Sequence, residues 1–185
     1  MKNIKTIIIF SLFANLLQCK AQQIFPLNTF TEDVTPNGYV KDINNELNPF
    51  VGTYKANFQG NEITLYVSKM EHKLEERVKK TYYSDALIIK YVIKNAGGII
   101  LQSTQNDLNI RLYSNKVFQD TAIFYYLGTN CNVGNGKIYL KKNNTTELLW
   151  DYRPNSMILD QQNCPGNQDV KVYLPVTKDL IFTKQ

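Results

Sequence analysis

From residue 51 onward, apolar side chains return at every second position in short runs broken by Gly and Asn. A period of two selects strands over helices and restricts the chain to sheet architectures. Gly52, Tyr54, Ala56 and Phe58 fall on one face, with Thr53, Lys55 and Asn57 on the other. Gly60-Asn61 reads as a two-residue turn, after which Ile63, Leu65 and Val67 resume the alternation. Leu87, Ile89, Tyr91 and Ile93 oppose Lys90 and Lys94, and residues 95–98 turn the chain into Ile99-Ile100-Leu101. Leu108, Ile110 and Leu112 alternate with Asn109 and Arg111. Residues 122–127 are continuously apolar or aromatic, which predicts a strand buried on both sides or lying against a barrel floor. Residues 133–136 form a turn into Lys137-Ile138-Tyr139-Leu140, residues 143–146 precede Leu148, Trp150 and Tyr152, and residues 180–184 form a closing strand. The expectation is all-β: a single antiparallel up-and-down meander of 8–10 strands closing into a barrel.

Two segments depart from this pattern. Residues 42–47, Asp-Ile-Asn-Asn-Glu-Leu, predict a short N-terminal helical segment stopped by Pro49. Residues 69–80 are a charge run in which Met70, Leu74 and Val78 would form one helical stripe. The strand-like flanks favour an exposed hairpin tip instead, and both readings stay open.

Lys2 and Lys5, with no acid beside them, precede an apolar run over residues 7–17. This is the pattern of a signal peptide, and its apolar part falls short of the roughly 20 residues needed to span a bilayer. Cys19-Lys20-Ala21 supplies small residues around a cleavage site near Ala21. The alternative is a lipoprotein anchored at Cys19, although Gln18 is bulky where such sites prefer Gly, Ala or Ser. Cleavage removes three lysines and no acid, so the net charge of +5 falls to +2. An acidic partner is then no longer implied by composition. The expected organisation is a signal peptide over 1–21, an N-terminal arm with a short helix over 22–50, and a β-barrel domain over 51–185. The mature chain is expected to carry no membrane span and to be periplasmic or extracellular. Its two remaining cysteines, Cys131 and Cys164, read as a disulfide in an exported protein, with free thiols or metal ligation as alternatives.

Asn48-Pro49-Phe50-Val51-Gly52-Thr53-Tyr54-Lys55, after a short helical segment, resembles the start of the first strand in lipocalin-like barrels, with Gly-x-Tyr in place of Gly-x-Trp. That resemblance implies an aromatic floor residue, Tyr54, set against a basic side chain of the last strand, Lys184. It makes Tyr54, Phe58, Leu65, Ile89, Tyr91, Leu112 and Trp150 the candidate floor and ligand-facing residues. The order of residues 39–47, 51–55, 82–87 and 179–185 resembles a family of small exported proteins from Gram-negative bacteria, catalogued as a domain of unknown function. The family carries no active-site residues to transfer.

The residues offer little chemistry. His72 is the only histidine and lies in the charge run, where an exposed, solvated ring is the expectation. There is no Gly-x-Ser-x-Gly, no His-Glu-x-x-His, no phosphate-cradling loop and no calcium-loop spacing. No catalytic, cofactor or metal residue is assigned. Residues 69–80 hold five positive and three negative charges, too compensated for a nucleic-acid stripe. The twelve tyrosines fit both strand preference and ligand stacking. The leading expectation is a non-catalytic exported barrel holding a small apolar or amphipathic ligand in its interior or mouth. The alternative is an envelope or surface module that binds a protein or glycan on its outer face. A hydrolase built on two carboxylates ranks third.

Overall fold

The computed structural model describes residues 21–109 and 112–185. Within them the alternating runs become twelve strands: β1 (Ile24–Pro26), β2 (Tyr39–Lys41), β3 (Gly52–Phe58), β4 (Asn61–Arg77), β5 (Lys80–Lys94), β6 (Ile100–Ser103), β7 (Leu112–Ser114), β8 (Val117–Phe118), β9 (Thr121–Tyr126), β10 (Gly136–Lys142), β11 (Glu147–Pro154) and β12 (Leu180–Lys184).

Eight of them close an antiparallel barrel in the order β3-β4-β5-β7-β9-β10-β11-β12. Two pairings complete the circle. Strand β12 returns to β3 through Thr183 opposite Lys55 and Lys184 opposite Tyr54, and β5 meets β7 through Leu87 opposite Ser114. Strands β6 and β8 lie off this path, against β5 and β9.

The sheet is not wholly antiparallel. Strand β1 runs parallel to β2, and β2 parallel to β5, so the N-terminal arm extends the sheet outside the barrel. The predicted helical segment over residues 42–47 does not form. The Asp42 carboxylate accepts the backbone N–H groups of Glu46 (2.6 Å) and Leu47 (3.2 Å), and Asn45 takes φ +56°. Asp and Asn side chains that bond nearby backbone in this way replace a helix with a turn. Only a single 3-10 turn follows, at Asn48–Phe50.

Residues 69–80 belong to a long hairpin whose tip is Val78-Lys79, with a bulge between Met70 and Lys73 where His72 takes φ +55°. The charges therefore line strand walls more than the tip. The first hairpin turns at Gln59-Gly60, one residue earlier than expected, with φ of +48° and +76°. Positive φ at both central residues matches the strand twist of a tight hairpin. Residues 122–127 are also corrected: Ala122, Phe124 and Tyr126 are buried while Tyr125 is 39% exposed. The wall at β9 has one face in solvent, so its aromatic run is split between core and surface. Leu108, expected on a strand, lies exposed in a bend, and Ile110 and Arg111 are outside the described residues.

Inward faces of all eight barrel strands meet in one core. Leu65, Phe124, Leu140, Trp150 and Phe182 are fully enclosed there. An eight-stranded barrel is just wide enough for its own side chains to fill it. Outward positions carry Lys55, Glu62, Lys90, Lys137 and Arg153, an alternation inverse to that of a membrane barrel.

The long connection from β11 to β12 crosses one end of the barrel as a strap. Its Leu174 is buried, the Trp150 indole donates to the Pro175 carbonyl at 2.8 Å, and the Tyr152 amide donates to the Thr177 carbonyl at 3.1 Å. Cys164 in the strap is disulfide-bonded to Cys131 in the β9–β10 loop, across a separation of 33 residues.

Candidate functional site

Six of the seven apolar residues singled out from the sequence, Tyr54, Leu65, Ile89, Tyr91, Leu112 and Trp150, are buried in the core. Phe58 is half-buried at its margin. Lys184 extends across Tyr54, its Nζ 5.7 Å from the ring centroid and donating to the Val51 carbonyl at 3.0 Å. Gly52 makes this approach feasible, because a Cβ there would lie 2.6 Å from Lys184 Cε.

These side chains pack inside the barrel, and two recesses reach core residues, one Leu174 and the other Tyr91 and Tyr126. One of about 400 Å³ at the mouth is lined by Phe58, Leu101, Tyr173 and Val176. Another of about 180 Å³ is lined by Gln102, Thr104, Asp107, Asn130 and Asp169.

A larger groove, about 700 Å³, lies on the outer face of β7, β9, β10 and β11. Strand register builds it. Tyr113 stands opposite Tyr125, Tyr125 opposite Lys137, and Lys137 opposite Arg153. All four are outward positions of their strands, so they form one row across four neighbouring strands. At about 4.8 Å per strand the row is roughly 14 Å long. The Tyr113 and Tyr125 rings are 6.0 Å apart.

Cations cover these rings. Lys73 Nζ is 4.1 Å from the Tyr113 centroid, Lys137 Nζ is 6.0 Å from Tyr125, and the Arg153 guanidinium is 4.6 Å from Tyr139. Lys73 is also paired with buried Glu75 at 2.9 Å, and Arg153 with Asp151 at 2.5 Å. Hydrogen bonding to Asp151 raises the Arg153 pKa, and burial pushes the Tyr113 hydroxyl up. Asn132, Asn135 and Asn155 add amides along one side. Asn155 donates to Asn135 through its backbone N–H (2.8 Å) and its side-chain Nδ2 (2.6 Å), and Asn132 adjoins the disulfide.

Sequence reasoning passed over Tyr113, Tyr125 and Arg153 as site residues. The outward parity of Tyr113 and Arg153 follows from their alternating neighbours, whereas Tyr125 sits in a run expected to be buried on both sides. Alignment across four strands is not a local property of the sequence.

A second cluster is buried beside the arm. Asp85 Oδ1 accepts the Tyr39 hydroxyl at 2.5 Å and the His72 N–H at 3.3 Å, while Oδ2 accepts the Asp42 N–H at 3.0 Å. Asp42 Oδ2 accepts Lys69 Nζ at 3.0 Å. All four oxygens of the two carboxylates are thus engaged within the fold, which is a structural arrangement. Burial, then the bond to Asp85, raises the Tyr39 hydroxyl well above its ordinary value. The exposed His72 ring lies against Tyr39 (3.9 Å) and Tyr83 (5.1 Å), so the expected solvated side chain rests on two aromatic rings.

Among the described residues, no group of three His, Cys, Asp or Glu side chains is placed to hold a metal, and no helix is long and apolar enough to cross a membrane. Residues 1–20, with the predicted leader and Cys19, lie outside the described residues. Comparison with curated proteins and with solved structures finds no match. The profile of a family of unknown function, DUF6705, matches residues 1–185, and the chain belongs to that family.

Proposed function

We propose that this protein is an exported, non-catalytic β-barrel that binds a glycan on its outer face. The observation that carries the reading is the row Tyr113–Tyr125–Lys137–Arg153, flanked by Tyr139 and the asparagine amides. Aromatic faces accept the C–H faces of sugar rings, and amides and cations meet the hydroxyl groups. A barrel interior filled by Tyr54, Tyr91 and Trp150 argues against a ligand held centrally.

Support for export comes from the charged start and apolar run of the sequence and from the disulfide, which belongs to oxidising compartments. The absence of assigned nucleophile or metal motifs favours binding over catalysis.

The test is binding of the oxidised protein to an array of immobilised plant, algal and bacterial polysaccharides, repeated with Tyr125→Ala. Stacking of a nucleic-acid base on an aromatic side chain is worth about 1–3 kcal/mol, and a similar contribution from a sugar face would make the variant bind about fivefold or more weakly. Equal binding by both proteins, or no glycan bound, overturns the reading.

The recess at the mouth supports a second reading, a small amphipathic ligand against Phe58, Leu101 and Tyr173. Displacement of a bound hydrophobic dye that is lost in Phe58→Asp and unaffected in Tyr125→Ala would establish it instead.

A further inference from the structure

Resting on the glycan reading, we infer that the outer groove selects an acidic polysaccharide, one bearing carboxylate or sulfate groups along its length. The charged residues lining the groove are Lys137 and Arg153, and no carboxylate side chain lines it. Arg153 is held by Asp151, which lies outside the groove lining and offsets part of its charge. Lys137 has no carboxylate partner among the described residues, and its ammonium group is exposed over Tyr125. A neutral sugar could use the tyrosine faces alone. It would leave the Lys137 charge unanswered, whereas an anionic group one strand away from a stacked ring would pair with it.

A single-stranded nucleic acid also combines planar rings with negative charge. The groove favours the polysaccharide because one of its walls depends on an oxidised cysteine pair. Asn132 and Asn135 belong to the β9–β10 loop that Cys131–Cys164 ties down. Such a wall is assembled where disulfides persist, outside the reducing compartment that holds nucleic acids.

The experiment measures affinity of the oxidised full chain for four probes: polygalacturonate oligosaccharides, dextran sulfate, unmodified dextran and a single-stranded oligonucleotide. It is done at about 0.1 M and about 1 M salt, between which the screening length falls from about 10 Å to about 3 Å. The acidic polysaccharides are expected to bind at least about tenfold tighter than dextran at the lower salt, and to lose most of that margin at the higher. Polygalacturonate against dextran sulfate assigns the acid as carboxylate or sulfate. Lys137→Gln is expected to lower acidic binding about fivefold and dextran binding by a smaller factor, so that the margin between acidic and neutral chains narrows; an equal loss for both overturns the inference. Because Lys137 is exposed, this variant keeps the fold intact. Equal binding of dextran and both acidic chains overturns the inference while leaving the glycan reading in place. Tightest binding of the oligonucleotide overturns both, as does the absence of binding to any polysaccharide.

Discussion

The Trp150 indole N–H donates to the carbonyl oxygen of Pro175 at 2.8 Å, joining the core to the strap. Trp150 is fully buried, so the bond is shielded from water and neither group has a solvent alternative. Trp150→Phe is expected to lose about 2–4 kcal/mol, combining an unpaired buried carbonyl with a partly filled cavity. Urea unfolding checks the loss. Hydrogen exchange in the same variant is expected to show faster exchange at the Tyr152 amide, which bonds Thr177 in the strap.

The disulfide closes a loop of 33 residues. On the chain-entropy account, replacing Cys131 and Cys164 together by Ala lowers stability by roughly 3–4 kcal/mol. The double variant is expected to retain its far-ultraviolet strand signal while its unfolding midpoint falls. An unchanged midpoint would mean that the oxidised and reduced unfolded chains are equally restricted.

Asp85→Asn places an N–H₂ group where acceptors now receive Tyr39, His72 and the Asp42 amide. One donor then faces another inside the fold, and Lys69 loses part of its counter-charge. The expected loss is about 2–4 kcal/mol, against about 1–2 kcal/mol for Tyr39→Phe, which removes a single donor. Parallel denaturation of the two variants checks the ranking.

Alkaline stability follows from the tyrosines. Burial raises the hydroxyl pKa of Tyr39, Tyr113 and Tyr152 above the ordinary 10.0. Above that value the unfolded chain releases protons that the folded chain keeps. Stability is therefore complete below pH 10 and falls as the pH rises beyond it, by at most about 1.4 kcal/mol per unit for each retained proton. Denaturation at pH about 9 and about 11 is expected to show this decline, and Tyr152→Phe to flatten it.

The barrel was legible because period two is a local property. Each of Tyr54, Leu65, Tyr91 and Trp150 announced its face through its neighbours, and strand β12 announced itself in residues 180–184. Residues 42–47 misled because their composition suits a helical turn, while the deciding interaction, the Asp42 carboxylate on Glu46 and Leu47, is a side-chain choice. The row Tyr113–Tyr125–Lys137–Arg153 was invisible for a different reason. It exists only through register, and register across four strands depends on every turn and bulge between them. Lys184 lay between these cases, since a resemblance pointed to it and the close packing of Gly52 gives the physical ground.

Closure of the barrel joins Lys55 to Thr183, positions 128 residues apart in the chain. A contact of such long sequence separation forms late, because the loop entropy must be surrendered before any bond is gained. Until it forms, β3 presents an open edge of unpaired backbone on one side and β12, or β11 before β12 docks, on the other, each a template for pairing with another chain. The time between emergence of the first strand and arrival of the last is thus the interval of greatest aggregation hazard for this protein. A holding chaperone, or a slow supply of chain, would act on yield there without altering the stability of the finished barrel.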